Sequence, residues 1–552
     1  MTTLHFRAYF RSTLLGAVLA AGAACAPAVP APTTAPAPAR PTPVPAAPPA
    51  APTPAAPPLP AATPGLPPIP KVAGPLAPDM VYPSEGQTIG VRTSTFVYGS
   101  VGNGAASLTI NGHAVTVHPN GAFMAFIPVP ADSAYTMHAS LPTGESSVAV
   151  RRIHFPNRNA PRPAAELDTI GYPKLVTLAN TNVDAVADTD AVTYVRPTPG
   201  GTYQWFLMPG TVVQATGKQG SWTRIRLDSQ IEAWVEESGV AAYTPPAGTA
   251  SHTDVPVRRI SAARAAAFSG YSEISLTMSA RTPFIVDQSG SRISLTVYNA
   301  RANLDILRYD TNDPTVRLVR HEQIANDCVR FDVDLRHDAV GYLVYWRDNA
   351  LVLRVRHLVA VDARAPLRGR VIAVDAGHPP AGSIGPTRLR EPEATLAVAQ
   401  QLKAMLEARG ARVVMLRSTM DPVALGARPI EARRQNVEAF VSIHLNAFAD
   451  GANPYAAARG SGTFFFHPQS EPLARFVQQG LVKYMGLRDE GINFNNLAVA
   501  RPTWFPAVLC EGAWVVMPEQ EAALRTVEFQ RAYAQGILAG LEAYFASLAP
   551  RP

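Results

Sequence analysis

Four side chains in the last third of the sequence have the types and positions that hydrolytic zinc chemistry needs. His378 and His444 each follow an apolar run typical of a buried strand, and Glu391 opens a predicted helix. Two histidines and a carboxylate that leave one coordination position open form a catalytic zinc site, with Glu391 as the expected third ligand. Glu511 ends another apolar run and is the expected general base. Each residue alone is ordinary, but the set predicts a site.

The elements that must position these residues follow Arg370, where apolar strands begin to alternate with amphipathic helices. This alternation predicts an α/β domain with a mostly parallel sheet. The predicted strands cover residues 371–374, 411–416, 440–444 and 506–511, and the predicted helices begin at Glu391 and at Arg428, the second ending at Val437. Because ligands gather at the carboxyl ends of parallel strands, His378 and His444 are expected to converge on one crevice.

Ordered motifs over residues 368–548 carry a family resemblance. They are Val374-Asp375-Ala376-Gly377-His378, Glu391 with Leu396, Leu416-Arg417 with Asp421, Leu425 and Arg428, Ser442-Ile443-His444-Leu445-Asn446-Ala447, and Pro506-Ala507-Val508-Leu509-Cys510-Glu511. Together they resemble the zinc-dependent N-acetylmuramoyl-L-alanine amidase catalytic domain. The resemblance implies hydrolysis of the amide between the lactyl group of N-acetylmuramic acid and the L-alanine of the peptidoglycan stem peptide. It also implies that His378, Glu391 and His444 bind Zn²⁺ and that Glu511 is the general base.

Some residues depart from the family pattern or compete for these roles. A proline-rich stretch, residues 379–383, replaces the family's glycine-rich acidic loop and predicts a stiffer cleft lip or one shaped for a different substrate. Glu393 is an alternative ligand, but the five-residue spacing from Glu391 to Leu396 matches the family. His467 has no motif support. Cys510 has no flanking base and is expected to be a small buried hydrophobe rather than a nucleophile.

The whole chain has 552 residues, of which 53 are proline. A chain of this length and composition cannot form one compact domain with the α/β unit. Residues 1–25 have the three parts of an export signal, and Cys25 at their end resembles the modified cysteine of a lipoprotein signal. Gly22 departs from that pattern, so lipid anchoring and ordinary cleavage both stay open. Residues 26–74, which hold 19 of the prolines, are expected to be an extended spacer. We therefore expect a protein exported to the periplasm or cell envelope.

Three all-β modules are predicted between the spacer and the α/β domain, so the fold class is multidomain. Residues 75–156 contain Asn-Gly turns between alternating strands and resemble an immunoglobulin-like module. Residues 175–243 resemble a bacterial SH3-like barrel, with Trp222 and Trp234 expected in its core rather than in a ligand groove. Residues 255–361 alternate apolar and polar positions and resemble the AMIN domain of cell-wall amidases.

The charge pattern and the partners leave rival functions open. A formal net charge of +6 suits an anionic partner, but the scattered Arg and Lys fit a merely solvated surface equally well. Peptidoglycan is the expected partner, with no nucleic acid. A non-catalytic wall-binding scaffold and a zinc peptidase acting on another wall amide are the two alternatives to the amidase.

Overall fold

The computed structural model describes residues 66–156, 165–185, 190–245, 253–310, 312–457 and 459–549. The predicted export signal, Cys25 and most of the proline-rich spacer lie outside these residues. Within the described ranges, no helix combines the length and the apolar character that a membrane crossing requires.

The first β unit consists of eight strands in two sheets that share one core. The strands are β1 (Asp79–Tyr82), β2 (Gln87–Thr88), β3 (Ser94–Ser100), β4 (Ser107–Ile110), β5 (His113–Val115), β6 (Ala122–Pro128), β7 (Ala134–Ser140) and β8 (Ser146–His154). The sheet orders are β1-β3-β6 and β2-β8-β7-β4-β5. Asn111 and Gly112 have φ of 48° and 79°, so the predicted Asn-Gly hairpin is confirmed between β4 and β5.

The second β unit is a single seven-stranded sheet with the order β11-β10-β14-β13-β12-β9-β15. Its strands are β9 (Lys174–Leu178), β10 (Thr193–Arg196), β11 (Trp205–Leu207), β12 (Val212–Gln219), β13 (Trp222–Arg226), β14 (Glu232–Glu236) and β15 (Val240–Ala242). A short 3-10 helix covers Glu237–Gly239. The expectation for the two tryptophans is wrong, because Trp222 and Trp234 are only half-buried. Trp205 is the tryptophan in this core.

The third β unit encloses its core between two sheets. Its strands are β16 (Arg258–Phe268), β17 (Tyr271–Met278), β18 (Phe284–Ser289), β19 (Arg292–Tyr298), β20 (Ala300–Ala302), β21 (Leu307–Arg308), β22 (Val316–Ala325), β23 (Cys328–Leu335), β24 (Tyr342–Arg347) and β25 (Ala350–Arg356). The sheet orders are β20-β16-β17-β25-β24, with β21 paired to β16, and β18-β19-β23-β22. The alternating apolar residues, such as Leu276, Leu295, Val333 and Leu353, all face this core, as their period predicts.

The C-terminal domain has a six-stranded sheet with the order β27-β26-β28-β31-β29-β30. Its strands are β26 (Val371–Ala376), β27 (Arg412–Met415), β28 (Ala439–Asn446), β29 (Gly460–Phe465), β30 (Arg488–Phe494) and β31 (Ala507–Trp514). Its helices are α1 (Glu391–Ala408), α2 (Ala427–Arg434), α3 (Glu471–Met485), α4 (Pro518–Leu524) and α5 (Val527–Ser547), with 3-10 helices at Pro468–Ser470 and Ala498–Ala500. All pairings are parallel except β29 with β31, so the predicted α/β class with a mostly parallel sheet is confirmed.

The predicted elements around the site agree with the observed ones, apart from some ends. Helix α1 begins at Glu391 with Pro392 in its first turn, where a missing N–H costs nothing. Helix α2 ends three residues earlier than predicted, at Arg434, because the chain turns at Asn436, whose φ is 51°. Strands β29 and β30 and helices α3 to α5 were not predicted individually.

Candidate metal centre

The structure brings the three predicted ligands together at the carboxyl end of the sheet. The nitrogen and oxygen atoms that His378, Glu391 and His444 can offer to a metal all lie within 4.8 Å of one another. Glu391 Oε1 is 3.4 Å from His378 Nε2 and 3.2 Å from His444 Nδ1. The Glu391 side chain is only 3% exposed, whereas those of His378 and His444 are 27% and 16% exposed, so the cluster is open to solvent on one side.

The Glu391 carboxylate is held by main-chain donors as well as by the two imidazoles. Its Oε2 accepts a hydrogen bond from Ser383 N at 2.8 Å, and its Oε1 accepts one from Leu445 N at 3.0 Å. Burial opposes the charged form, but the hydrogen bonds and charges of the two histidines outweigh it and lower the pKa of Glu391 below its usual value. The carboxylate is therefore ionised and fixed in direction.

The loop that carries His378 is oriented by its own backbone. His378 Nδ1 lies 3.1 Å from the Pro380 carbonyl oxygen, which accepts a hydrogen bond from Nδ1–H and leaves Nε2 directed at Glu391. His378 also has φ of 58°, in the left-handed region that non-glycine residues seldom adopt. A conformation of this kind persists only where the surrounding structure holds it in place.

Two buried arginines hold this loop. Arg428 Nη1 donates to Asp375 Oδ1 at 2.6 Å and to Ala376 O at 3.0 Å, and its Nη2 donates to Pro379 O at 3.0 Å. Asp375 Oδ2 also accepts from Ser442 Oγ at 2.7 Å, which links the loop to β28. Arg428 and Asp375 are both buried, so loss of either one would leave an unpaired charge in the interior. Both residues belong to quoted motifs, but sequence reasoning assigned them no role.

The second arginine, Arg417, binds the turn between β26 and α1. Its guanidinium donates to Ala376 O at 3.0 Å, Gly377 O at 3.2 Å and Pro392 O at 2.8 Å. One planar group thereby connects the end of β26 to the start of α1. It fixes His378 relative to Glu391.

Gly377 makes room for the His444 ring. A Cβ atom at Gly377 would lie 2.6 Å from His444 Cε1 and Nε2, closer than real contacts allow. Tyr533, on α5, lies beneath the same strand ends: its hydroxyl accepts from Gly512 N at 2.9 Å and lies 2.7 Å from Cys510 O and 3.1 Å from His444 O. Sequence reasoning missed Tyr533 because nothing in its local pattern points to residues so distant along the chain.

We expect Gly377→Ala to fold but to bind zinc at least about tenfold more weakly, since displaced supporting groups around metal ligands have effects of about 10–100-fold. The added methyl group must displace the His444 ring, whereas the backbone at Gly377 tolerates alanine. Competition with a chromogenic chelator measures the affinity. Gly90→Ala is the matched control, because its Cβ would meet nothing within 4 Å. Equal zinc affinity in the two variants would contradict this role.

Glu511 lies beside the cluster on the neighbouring strand. It is the register partner of His444 in the parallel pair of β28 and β31, where adjacent strands lie about 4.8 Å apart. Its Oε2 is buried and has no hydrogen-bond partner among the described residues. Burial, with the charges of Glu391 and Glu490, raises the pKa of Glu511 well above its usual value. A buried carboxyl oxygen without a partner marks a position where a bound group belongs.

The competing residues lie in other surroundings. Glu393 is half-exposed and pairs with Arg390 at 3.8 Å, away from the histidines. His467 is half-buried just after β29, with Nε2 2.8 Å from Arg501 O, and desolvation lowers its pKa to about 4. Cys510 is buried and free, as expected, and burial raises the pKa of its thiol. Neither His467 nor Cys510 belongs to the metal cluster.

The first β unit packs against the rim of the site. Phe96 and Tyr98 of β3 point away from their own core into the core of the C-terminal domain, so β3 is buried on both faces. Tyr98 Oη donates to Ile384 O at 3.0 Å, next to Ser383, whose N–H binds Glu391. The ring centres of Phe96 and Phe448 are 5.4 Å apart, and Phe448 lies in the loop that follows β28, the strand of His444. Strand β3 has apolar residues at successive positions, so large side chains lie on both of its faces. This pattern could have predicted that β3 is covered on a second face.

Removal of the Tyr98 hydroxyl should loosen this rim. We expect Tyr98→Phe to lower the free energy of unfolding by ~1 kcal/mol, the usual net contribution of one hydrogen bond, and to lower the catalytic rate. Tyr455→Phe is the matched control, because Tyr455 Oη donates to Met124 O at 2.8 Å across the same contact and makes no hydrogen bond to the Ser383–Ile384 segment. Denaturation curves, and turnover of purified wall as the substrate expected from the sequence, check both variants. Equal rates in the two variants would contradict a specific effect on the loop.

The similarity of this chain to known proteins covers the C-terminal domain, which carries the site. Residues 372–543 match the N-acetylmuramoyl-L-alanine amidase family. The probable cell wall amidase LytH of Staphylococcus epidermidis is 31% identical over 211 residues, which are 38% of this chain and 68% of that protein. The N-acetylmuramoyl-L-alanine amidase LytC of Bacillus subtilis is 30% identical over 189 residues, 34% of this chain and 38% of that protein. A solved amidase from Clostridium difficile 630 has 29% identity, covers 32% of this chain and 97% of that chain, and has a TM-score of 0.30.

Proposed function

Because the chain belongs to the N-acetylmuramoyl-L-alanine amidase family, we propose that His378, Glu391 and His444 hold a zinc ion and that Glu511 is its general base. The protein is a peptidoglycan hydrolase. The bond it cleaves joins the lactyl group of N-acetylmuramic acid to the first L-alanine of the stem peptide. The observation that carries the proposal is the cluster of two imidazoles and one carboxylate within 4.8 Å, beside a buried acid that has no partner among the described residues.

The donor set fits zinc better than the other common protein metals. Two imidazole nitrogens with one carboxylate oxygen are the ligand set of catalytic zinc sites with an open position, whereas calcium and magnesium prefer all-oxygen sites. The solvent-facing histidines leave room for substrate, and the buried carboxylate supplies negative charge to offset the metal. When bound, zinc polarises the scissile carbonyl and favours deprotonation of water.

The chain's own groups perform the proton transfers and the positioning. Glu511 takes a proton from the attacking water and returns it to the nitrogen of the leaving alanine. Its burial keeps competing water away from the carboxylate, so the proton passes between reacting groups and not to solvent. The Pro380 carbonyl keeps the proton of His378 on Nδ1, and Arg417 and Arg428 keep the His378 loop in place.

Hydrolysis of purified wall with and without a chelator tests the metal requirement and distinguishes the amidase from a non-catalytic scaffold. We expect release of stem peptides that is abolished by the chelator and restored by zinc. Mass spectrometry of the fragments separates cleavage at the lactyl amide from cleavage within the peptide. Fragments cut only within the peptide would support the zinc peptidase instead, and no release under any condition would support the scaffold.

The remaining chain supports delivery of this activity to the wall. We propose that residues 1–25 direct export, that Cys25 carries a lipid, and that residues 26–74 tether the enzyme at the membrane surface. The three β units act as immunoglobulin-like, SH3-like and AMIN-like modules of a cell-envelope enzyme. Metabolic labelling with a radioactive fatty acid, compared between the native chain and Cys25→Ala, tests the anchor. Equal labelling of the two would exclude it.

A further inference from the structure

A large cavity lies where the second β unit, the third β unit and the C-terminal domain meet. Its volume is about 840 Å³, within the usual range of ~300–1,000 Å³ for ligand sites. Its wall includes aromatic rings and amide side chains from the three units, the cations Arg433 and Arg501, and the carboxylates Asp190 and Asp287, of which Asp190 pairs with Arg433. A short peptide or a similar small molecule fits a space of this size.

Four edge strands border this cavity. Strands β11, β18, β24 and β30 each stand last in the order of their sheet, and each contributes wall residues. Strand β18 borders it with all of residues 284–288. Because an edge strand has main-chain N–H and C=O groups on its open side, such edges are sites where an extended peptide adds by main-chain hydrogen bonds. The architecture favours a peptide over a ligand that offers no amide groups.

Arg501 supplies a cation in the same wall. Its Nε donates to Asn496 Oδ1 at 2.6 Å, and its guanidinium carbon lies 4.8 Å from the Tyr203 ring centre and 5.2 Å from that of Tyr194. Among the described residues, no carboxylate forms an ion pair with Arg501, although the residue is half-buried. A guanidinium removed from much of its water without an anionic partner is poised to bind a carboxylate in the planar, two-pronged manner that arginine favours.

The cavity is separate from the metal centre. Trp504 and Phe505, in its wall, precede β31, whereas Glu511 is the fifth residue of that strand and lies six residues after Phe505. Six residues of strand span roughly 20 Å. The wall also runs along α2 from Arg433 to Gly426, so this separation applies to the part of the cavity around Arg501. A ligand bound there is not the group that undergoes hydrolysis at the same time.

We propose that this cavity is a second binding site for the carboxylate-bearing stem peptide of peptidoglycan, with Arg501 as the carboxylate anchor and β18 as a main-chain partner. The choice of wall peptide among anionic peptides rests on the proposed function. A site at this distance would hold the wall by one stem peptide while another is cleaved. It would also keep contact with cross-linked peptides after their release from the glycan.

Calorimetric titration of the full chain with synthetic L-alanyl-γ-D-glutamyl-L-lysyl-D-alanine tests the proposal. This peptide lacks the lactyl amide, so its binding does not depend on hydrolysis, and an inactive enzyme could still bind it. We expect saturable binding that Arg501→Gln weakens at least tenfold and that Phe494→Ser, at the exposed rim, also weakens. Arg434→Gln is the matched control, because Arg434 is exposed on α2 and lies outside the cavity wall.

Two further titrations distinguish binding in this cavity from binding at the metal centre and from binding that does not use the peptide carboxylates. His378→Ala should bind the peptide with unchanged affinity, whereas loss of binding in that variant alone would place the peptide at the metal centre and overturn the proposal. An analogue of the peptide with its carboxyl groups amidated should bind at least tenfold more weakly. Equal binding of the amidated analogue, or binding of a muramic acid disaccharide in its place, would also overturn it. The proposal would also be overturned if Arg501→Gln and Phe494→Ser both bound the peptide with unchanged affinity.

Discussion

Glu511→Gln is expected to fold and to bind zinc like the native chain, yet to release stem peptides from wall about 10²- to 10⁴-fold more slowly, the range that general-base catalysis contributes. The amide keeps the size of the carboxyl group but cannot accept the proton from water. Because the buried Oε2 of Glu511 has no partner among the described residues, its replacement breaks no hydrogen bond made by that atom. Turnover on purified wall, zinc content and thermal unfolding together check the expectation.

The matched control for this variant is Glu490→Gln. Glu490 is half-buried and its charge contributes to the raised pKa of Glu511, so both variants remove one negative charge from the same region. Only Glu511 lies beside His444 across the strand pair. Native turnover in Glu511→Gln, or an equal loss in both variants, would remove Glu511 from the role of general base.

His378→Ala is expected to purify without stoichiometric zinc and without activity. The variant removes one of the three proposed protein ligands. Loss of a group that only supports a ligand weakens metal binding about 10–100-fold, so loss of the ligand itself must weaken it more. The imidazole is 27% exposed, so its removal leaves a solvent-filled gap and the domain should stay folded. Elemental analysis after dialysis measures the zinc content, and circular dichroism checks the fold.

His138→Ala provides the comparison for the loss of one histidine. His138 is exposed on β7 and far from the metal centre. This variant should keep its zinc and its activity. Retention of zinc by His378→Ala would exclude His378 as a ligand and return the ligand set to the remaining residues.

Local patterns were sufficient for much of the C-terminal domain. Strand β26, which precedes His378, and strands β28 and β31, which contain His444 and Glu511, are mostly apolar runs, as strands buried on both faces of a parallel sheet must be. Proline in the first turn of α1 indicated the helix start that places Glu391. These signals are encoded within a few neighbouring residues, and the sheet rules then bring the ends together.

The first β unit shows where local patterns were insufficient. Its strands and its Asn-Gly turn were predictable, because they depend on alternation and on backbone preference. Its contact with the catalytic rim depends on Tyr98 meeting Ile384, nearly three hundred residues later. A sequence read as separate modules gives such a unit a spacing or adhesive role, whereas the structure makes it a wall of the catalytic domain.

By itself, the sequence determined the α/β class of the last domain, the all-β character of the three units described before it, and the identity of the four candidate site residues. Only the tertiary structure decided the support of that site: the arginines that hold the His378 loop, the space at Gly377, the Tyr533 hydroxyl and the second cavity around Arg501. The physical reason is one of range. Strand and helix preferences depend on neighbours along the chain, but hydrogen bonds, close packing and cavities form between groups that only the folded chain brings together.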